Sequence, residues 1–362
     1  MKLRKTFALI LALLMTLSVT AAGYDSEENS SPALYMQTCE CPDDILNYIS
    51  ENASKFILGI DENHELSYND VYVGQPFTYG DDISNLYLFP IFEGNDVVYT
   101  LRVTYSPDGS IQGTISSFLA DELNSYIGYT SVDSPLRFDV SGHSLYAVTG
   151  NEAELVLNFP IDETIPVSLS NLSDNNLEIV NAAEPLSVEF SWITTRDPSH
   201  YIYLSRTESQ PSNNNWCVAY AMAAILRTQI GGGYTAQQIM RYYYGSGVSS
   251  SQSLSMSLGS SYAREVGGLT YTTYTSSGLS NSELMAQIDD DYPVCLRMIN
   301  QSQGGGHAVV LRGYAMSTWV WSIWNPVNDS GYESFPIDGE YVSTTGNVFV
   351  YNQGQTIYNC YY

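Results

Sequence analysis

Between residues 43 and 58, Ile45, Leu46, Tyr48, Ile49, Phe56 and Ile57 recur at helical spacing, which predicts an amphipathic helix. Beyond it the period shortens. Runs at 86–92, 97–105 and 111–115 are rich in β-branched and aromatic residues. Gly94-Asn95 and Pro107-Asp108-Gly109 separate them, so they predict strands joined by hairpin turns. A short helix is expected over 117–127, and further strands at 145–148, 155–159 and 188–192. This part of the chain therefore reads as β-rich with one or two helices. From about His200 the order changes. Residues 216–229 carry Val218, Ala221, Met222, Ile225 and Leu226 at helical spacing. Thr235-Ala236-Gln237-Gln238 and Ser280-Asn281-Ser282-Glu283 fit the capping box and should each start another helix. The Ser-rich stretch 246–261 reads as a loop or a weakly specified helix. Strand-like runs at 294–299, 308–311, 319–324 and 348–351 follow. Helices first and strands later predict an α+β domain in two segregated halves.

The first 22 residues have their own pattern. Lys2, Arg4 and Lys5 precede an apolar run over 7–17, and Val19-Thr20-Ala21-Ala22 supplies small residues after it. This is the layout of a secretory signal peptide cleaved near Ala22, too short for a comfortable membrane span; an uncleaved anchor is the alternative. The expected protein is secreted and extracellular, with no stable membrane insertion.

Charge refines the division. Thirteen Lys and Arg against 39 Asp and Glu give a net charge of −26, which repels nucleic acid and anionic membranes. Residues 24–199 hold 29 of the acids and four bases, whereas 200–362 hold ten acids and six bases. Two units with such different surfaces are expected: a signal peptide over 1–22, an acidic β-rich unit over 23–195, and a second unit over 196–362. The boundary falls in the polar stretch Thr194-Thr195-Arg196-Asp197-Pro198.

Candidate chemistry lies in the second unit. Cys217 opens a predicted helix just after Ser212-Asn213-Asn214-Asn215, where the helix dipole and first-turn N–H groups favour thiolate over thiol. By itself a lone helix cysteine is more often buried packing. His307 lies 90 residues downstream, after Gly304-Gly305-Gly306 and at the start of an apolar strand, where an imidazole can face a cleft and take the thiol proton. Asn325 follows 18 residues later, at the end of Trp319-Val320-Trp321-Ser322-Ile323-Trp324, and its side-chain carbonyl is suited to orient the imidazole as a third triad member. Gln210, seven residues before Cys217, offers an amide that with the Cys217 backbone N–H would form an oxyanion hole. His64 and His143 are isolated. Asp289-Asp290-Asp291 lacks the spacing of a calcium loop and reads as a solvated helix end, so neither metal nor cofactor is expected. The five cysteines, Cys39, Cys41, Cys217, Cys295 and Cys360, are an odd number, and the sequence leaves the pairing of the other four open. Cys39 and Cys41 have no matching Cys/His group, and Cys295 reads as a small buried hydrophobe.

Glu208-Ser209-Gln210-Pro211-Ser212-Asn213-Asn214-Asn215-Trp216-Cys217-Val218-Ala219-Tyr220-Ala221-Met222 resembles the nucleophile segment of the staphopains, secreted bacterial papain-like cysteine peptidases. Gly306-His307-Ala308-Val309-Val310 resembles their histidine motif, and Ile323-Trp324-Asn325-Pro326 their asparagine motif. The glutamine stands one residue further from the cysteine than is usual in that family. The resemblance covers residues 200–362. It implies a papain-like two-lobed catalytic domain, with the nucleophile helix opposite a β-rich lobe carrying His307 and Asn325, and a Cys-His-Asn endopeptidase acting on protein or peptide substrates. It further implies a zymogen in which residues 23–195 are a prosegment covering the cleft, an intramolecular inhibitor. Trp216 and Trp324 would shield the site or fill the core, and the run Tyr242-Tyr243-Tyr244 would line the cleft or pack. The alternatives are another Cys/His hydrolase, such as a cell-wall peptidase or amidase, and a non-catalytic secreted binding protein.

Overall fold

The computed structural model describes residues 33–63, 65–79, 85–159, 177–187, 199–328, 331–351 and 354–362. The expected signal peptide, His64, the strand expected at 188–192 and the boundary segment 194–198 lie outside the described residues. The fold is α+β. Its first part contains β1 (Tyr35–Cys39), α1 (Asp43–Ile60), β2 (Val71–Val73), β3 (Tyr87–Glu93), β4 (Asp96–Tyr105), β5 (Ile111–Ser116), α2 (Ala120–Tyr126), β6 (Leu136–Ser141), β7 (Ser144–Thr149), β8 (Glu152–Asn158) and β9 (Leu177–Asn181). The second contains β10 (Ser199–Tyr201), α3 (Cys217–Ile230), α4 (Ala236–Tyr244), α5 (Met256–Glu265), β11 (Tyr271–Thr275), α6 (Asn281–Asp289), β12 (Val294–Asn300), β13 (Gly306–Ala315), β14 (Val320–Trp324), β15 (Glu333–Pro336), β16 (Tyr341–Val342), β17 (Val348–Val350) and β18 (Thr356–Tyr361).

Local sequence explains most boundaries. Both capping boxes form: Thr235 accepts from Gln238 N while the Gln238 side chain reaches back, and Ser280 does the same with Glu283. The Ser-rich stretch divides in two, a loop up to Ser255 and then α5, because the Ser255 hydroxyl caps the helix by accepting from Leu258 N. Trp319, expected inside a strand, stands outside β14 at φ 55°, in the turn that reverses the chain between β13 and β14. The run expected at 308–311 extends to Gly306–Ala315 and is buried nearly throughout, as befits a strand covered on both faces.

A five-stranded sheet, in the order β8-β7-β6-β1-β9, lies within the acidic part. A second sheet runs β11-β18-β12-β13-β14-β15-β5-β4-β3-β2, so it crosses from the second part into the first without a break. The crossing is β15 on β5, with Glu333 opposite Ser116 and Ser334 opposite Ile115. Side-chain charge sets the surface, but a strand edge pairs through backbone groups whatever the charge around it. The sharp change in charge therefore does not coincide with a gap in the sheet.

Side chains reinforce the junction. Arg102 of β4 and Glu333 of β15 form an ion pair with both side chains fully buried, and Arg312 of β13 pairs with Glu62 just past α1. Helix α1 buries Ile45, Ile49, Phe56 and Ile57 in the cluster that includes Phe89, Leu101 and Ile115. Its far end touches β14. A Cβ at Gly59 would stand 2.2 Å from Val320 Cγ2, and Gly59 O accepts from the Tyr201 hydroxyl at 3.0 Å. Only glycine permits that approach.

Candidate active site

Cys217 is the first residue of α3 and is half-buried. Helix α3 packs its apolar residues, Val218 through Leu226, in the core shared with β12 and β13, so the helix is held by burial and its first turn is presented to the cavity beside it. The first turn of an α-helix has N–H groups with no intrahelical acceptor. These groups and the helix dipole favour a thiolate at this end. Cys217 lines a cavity of about 510 Å³, and Gly306 and Ala308, the two neighbours of His307, line it from β13.

His307, between them on β13, is buried. Its Nε2 lies 2.8 Å from Asn325 Oδ1. The same Oδ1 accepts from Val327 N at 3.1 Å, and Asn325 Nδ2 bonds the Tyr341 hydroxyl at 2.8 Å. Because a backbone N–H can only donate, the Val327 contact fixes which end of the amide is oxygen. The Asn325 oxygen can then only accept at this contact, which puts a proton of His307 on Nε2. The ring is also backed edge-on by Phe349, with centroids 6.4 Å apart, and Phe349 packs on Tyr341 at 6.0 Å. Tyr341 was not among the residues the sequence singled out. As one of 30 tyrosines it carries no local signal, and only folding brings it to Asn325.

Gln210 is buried in the same neighbourhood. Its backbone N donates to Pro326 O at 2.7 Å, which ties the loop before Cys217 to the turn after Asn325. Its Nε2 donates to Asn214 O at 2.7 Å, while its Oε1 is buried with no hydrogen-bond partner among the described residues. A turn closed by Asn214 N on Pro211 O, at 3.2 Å, lies between Gln210 and Cys217. One hydrogen of Nε2 is thus committed, which leaves the amide one other donor.

Other expectations divide. Trp216 and Trp324 are both in the hydrophobic core, the Trp216 indole donating to Ser249 O at 3.2 Å. Of the tyrosine run, Tyr244 lines the cavity at Cys217, while Tyr243 donates to Leu258 O at 2.9 Å and packs in the helical layer. Asp289, at the end of α6, accepts from the Tyr314 hydroxyl at 2.6 Å. None of Cys41, Cys217, Cys295 and Cys360 forms a disulfide. Burial, with Cys360 and Cys217 nearby, pushes the Cys295 thiol far upward, and burial pushes Cys360 up to about 12. Brief treatment with iodoacetamide at pH 8 should therefore alkylate Cys217 and leave Cys295 and Cys360 intact until the chain is unfolded, as read by peptide mass mapping. Native labelling of Cys295 or Cys360 ahead of Cys217 would contradict this arrangement.

Among the described residues, no helix is long and apolar enough to cross a membrane. No curated protein matches the chain. Residues 199–356, which hold Cys217, His307 and Asn325, match the model of the Peptidase_C39 like family, and that match indicates a cysteine peptidase family for this part of the chain.

Proposed function

We propose that the chain is an exported cysteine endopeptidase of the papain-like, staphopain type, made as a zymogen. The observation that carries this is the 2.8 Å contact of His307 Nε2 with an Asn325 amide whose orientation is fixed, on the strand whose start shares a cavity with Cys217. In the first step the Cys217 thiolate attacks the scissile carbonyl carbon and a C–S bond forms. The oxyanion that develops would be met by the Cys217 N–H and the second hydrogen of Gln210 Nε2. His307 protonates the leaving amine from Nδ1 as the C–N bond breaks. His307 then takes a proton from water as the water oxygen attacks the thioester carbonyl; the C–S bond breaks, the acid leaves, and Cys217 departs as thiolate beside the protonated His307. Asn325 positions the imidazole throughout and touches neither substrate nor thiol in this scheme.

Asn325→Ala should lower kcat about 10- to 100-fold with a smaller change in KM, because a misplaced ring loses near-attack geometry rather than substrate affinity. Tyr341→Phe, which removes only the outer hydrogen bond, should fall between this variant and the wild type. Steady-state kinetics on a fluorogenic peptide read both. Equal kcat in all three proteins would contradict the positioning role.

Residues 23–195 would act as the inhibitory segment. Two features support this. The acidic part walls one side of a cavity of about 310 Å³ whose other side includes Asn325, Val327 and Asn328. The Arg102–Glu333 and Glu62–Arg312 pairs hold it there. The cavity at Cys217 is lined, among the described residues, only from 210 onward, so the obstruction would come from the Asn325 side. The test is to incubate the chain from Gly23 onward under reducing conditions, beside its Cys217→Ala counterpart. Shortening by the acidic segment in the wild type alone, followed by digestion of an unfolded protein but not of peptidoglycan, is the expected result. A wild type trimmed by an added protease, still folded and inert towards unfolded protein, would overturn the proposal.

A further inference from the structure

The cavity beside Cys217 contains a charge that the reaction scheme does not use. Arg297, on β12, is paired in register with Ala308 of β13, one position beyond the Met298–His307 pair. By the pleat, Arg297, Gly306 and Ala308 fall on one face, and all three line the cavity. Arg297 is half-buried and is the one side chain with a permanent charge among the described residues lining it. It enters none of the ion pairs among the described residues, which occupy Arg102, Arg137, His200, Arg227, Arg264 and Arg312. The position of the guanidinium is built in. A Cβ at Gly306 would stand 2.6 Å from Arg297 Nε and 2.8 Å from its Cζ, so the group lies across the bare backbone just before His307.

A half-buried cation with no carboxylate partner among the described residues is costly in a chain with three acids for each base, where a counter-charge is easily supplied. The guanidinium fork matches a carboxylate in two parallel hydrogen bonds. Resting on the function proposed above, we infer that Arg297 makes this cavity an acid-selective subsite, holding a Glu or Asp side chain of the bound peptide N-terminal to the scissile bond. The small residues Gly306 and Ala308 leave room for that side chain, and the Tyr244 hydroxyl, which donates to Ser253 O at 2.8 Å, closes the rim rather than competing for the anion.

The test uses the chain from Gly23 onward and peptidyl acyloxymethyl ketones that alkylate an active-site thiol. Matched reagents carry Glu, Gln or Lys at each of the three residues preceding the reactive group. The rate of Cys217 modification is read by mass spectrometry and divided by the same protein's rate with iodoacetamide. At one of the three positions the wild type should prefer Glu over Gln by about tenfold or more, the equivalent of a well-placed charged contact. Arg297→Gln should bring the two within about twofold, and Arg297→Glu should favour Lys. The wild-type comparison stands whether or not either variant folds. Equal rates for Glu and Gln at all three positions, or a Glu preference that survives in Arg297→Gln, would overturn the inference and leave the peptidase proposal standing. If iodoacetamide labels Cys217 while every peptidyl reagent fails in the wild type both before and after the acidic segment has been trimmed away, the peptidase proposal fails and the subsite with it.

Discussion

Cys217→Ala is expected to abolish peptide hydrolysis, with kcat falling about ten-thousandfold or more, while the folded state survives. The chemistry requires a sulfur at the start of α3, because the scheme routes both halves of the reaction through a thioester. The fold does not require it. Val218 through Leu226 hold the helix in the core, and Cys217 is only half-buried, so losing one sulfur atom should cost about 1 kcal/mol or less. His307→Ala should lose a comparable factor. The double variant should be scarcely worse than either single one, since thiol and imidazole act as a unit and their effects do not add. Turnover of a fluorogenic peptide and thermal unfolding of all three variants check this. A Cys217→Ala protein within tenfold of wild-type activity would refute the nucleophile assignment.

The largest effect on stability is expected far from the thiol. Arg102→Met should destabilise the protein by about 3–5 kcal/mol, because it strips the fully buried Glu333 carboxylate of its cation and leaves it the neutral Asn328 amide, at 2.9 Å. Arg102→Met combined with Glu333→Leu should recover most of that loss, since an apolar pair removes two desolvated charges together. The recovery should be large here, because Arg102 Nε and Nη1 are buried without hydrogen-bond partners among the described residues. The strain should also reach the site, since Asn328 N closes the turn on Asn325 O at 3.1 Å. Urea unfolding reads the energies, and the shared sheet predicts a single transition for both parts of the chain. Two well-separated transitions, or a double variant no better than Arg102→Met, would contradict this view of the junction.

The parts of the fold that sequence could reach are those whose cause is local. The two capping boxes announced α4 and α6, apolar spacing announced α1 and α3, and Gly94-Asn95 marked the hairpin between β3 and β4. What escaped depends on distant partners. β1 is five residues long and owes its form to pairing with β9 across more than 130 positions and with β6 in parallel. The apolar run of β13 ends at Leu311, but the strand runs on to Ala315. It continues because Arg312 is bonded to Ile202 O and Ser322 and paired with Glu62. The continuity of the sheet from β15 to β5 leaves no trace in charge or periodicity.

At the site, residue types and order pointed to Cys217, His307, Asn325 and Gln210. The order could not state which amide end of Asn325 meets the ring, that Gln210 is tied to Pro326, or that Tyr341 and Arg297 stand beside them. Those facts belong to strand register and to loops brought together by the core.

Titration of activity with a peptidyl epoxide, followed by mapping of the adduct, reports on the Cys217 thiol itself. The geometry predicts one molecule bound per active chain, attached to Cys217, with hydrolysis of unfolded protein lost in proportion. Hydrolysis that persists after Cys217 is fully modified, or an adduct on another residue that accounts for the loss, would contradict a peptidase built on Cys217, His307 and Asn325.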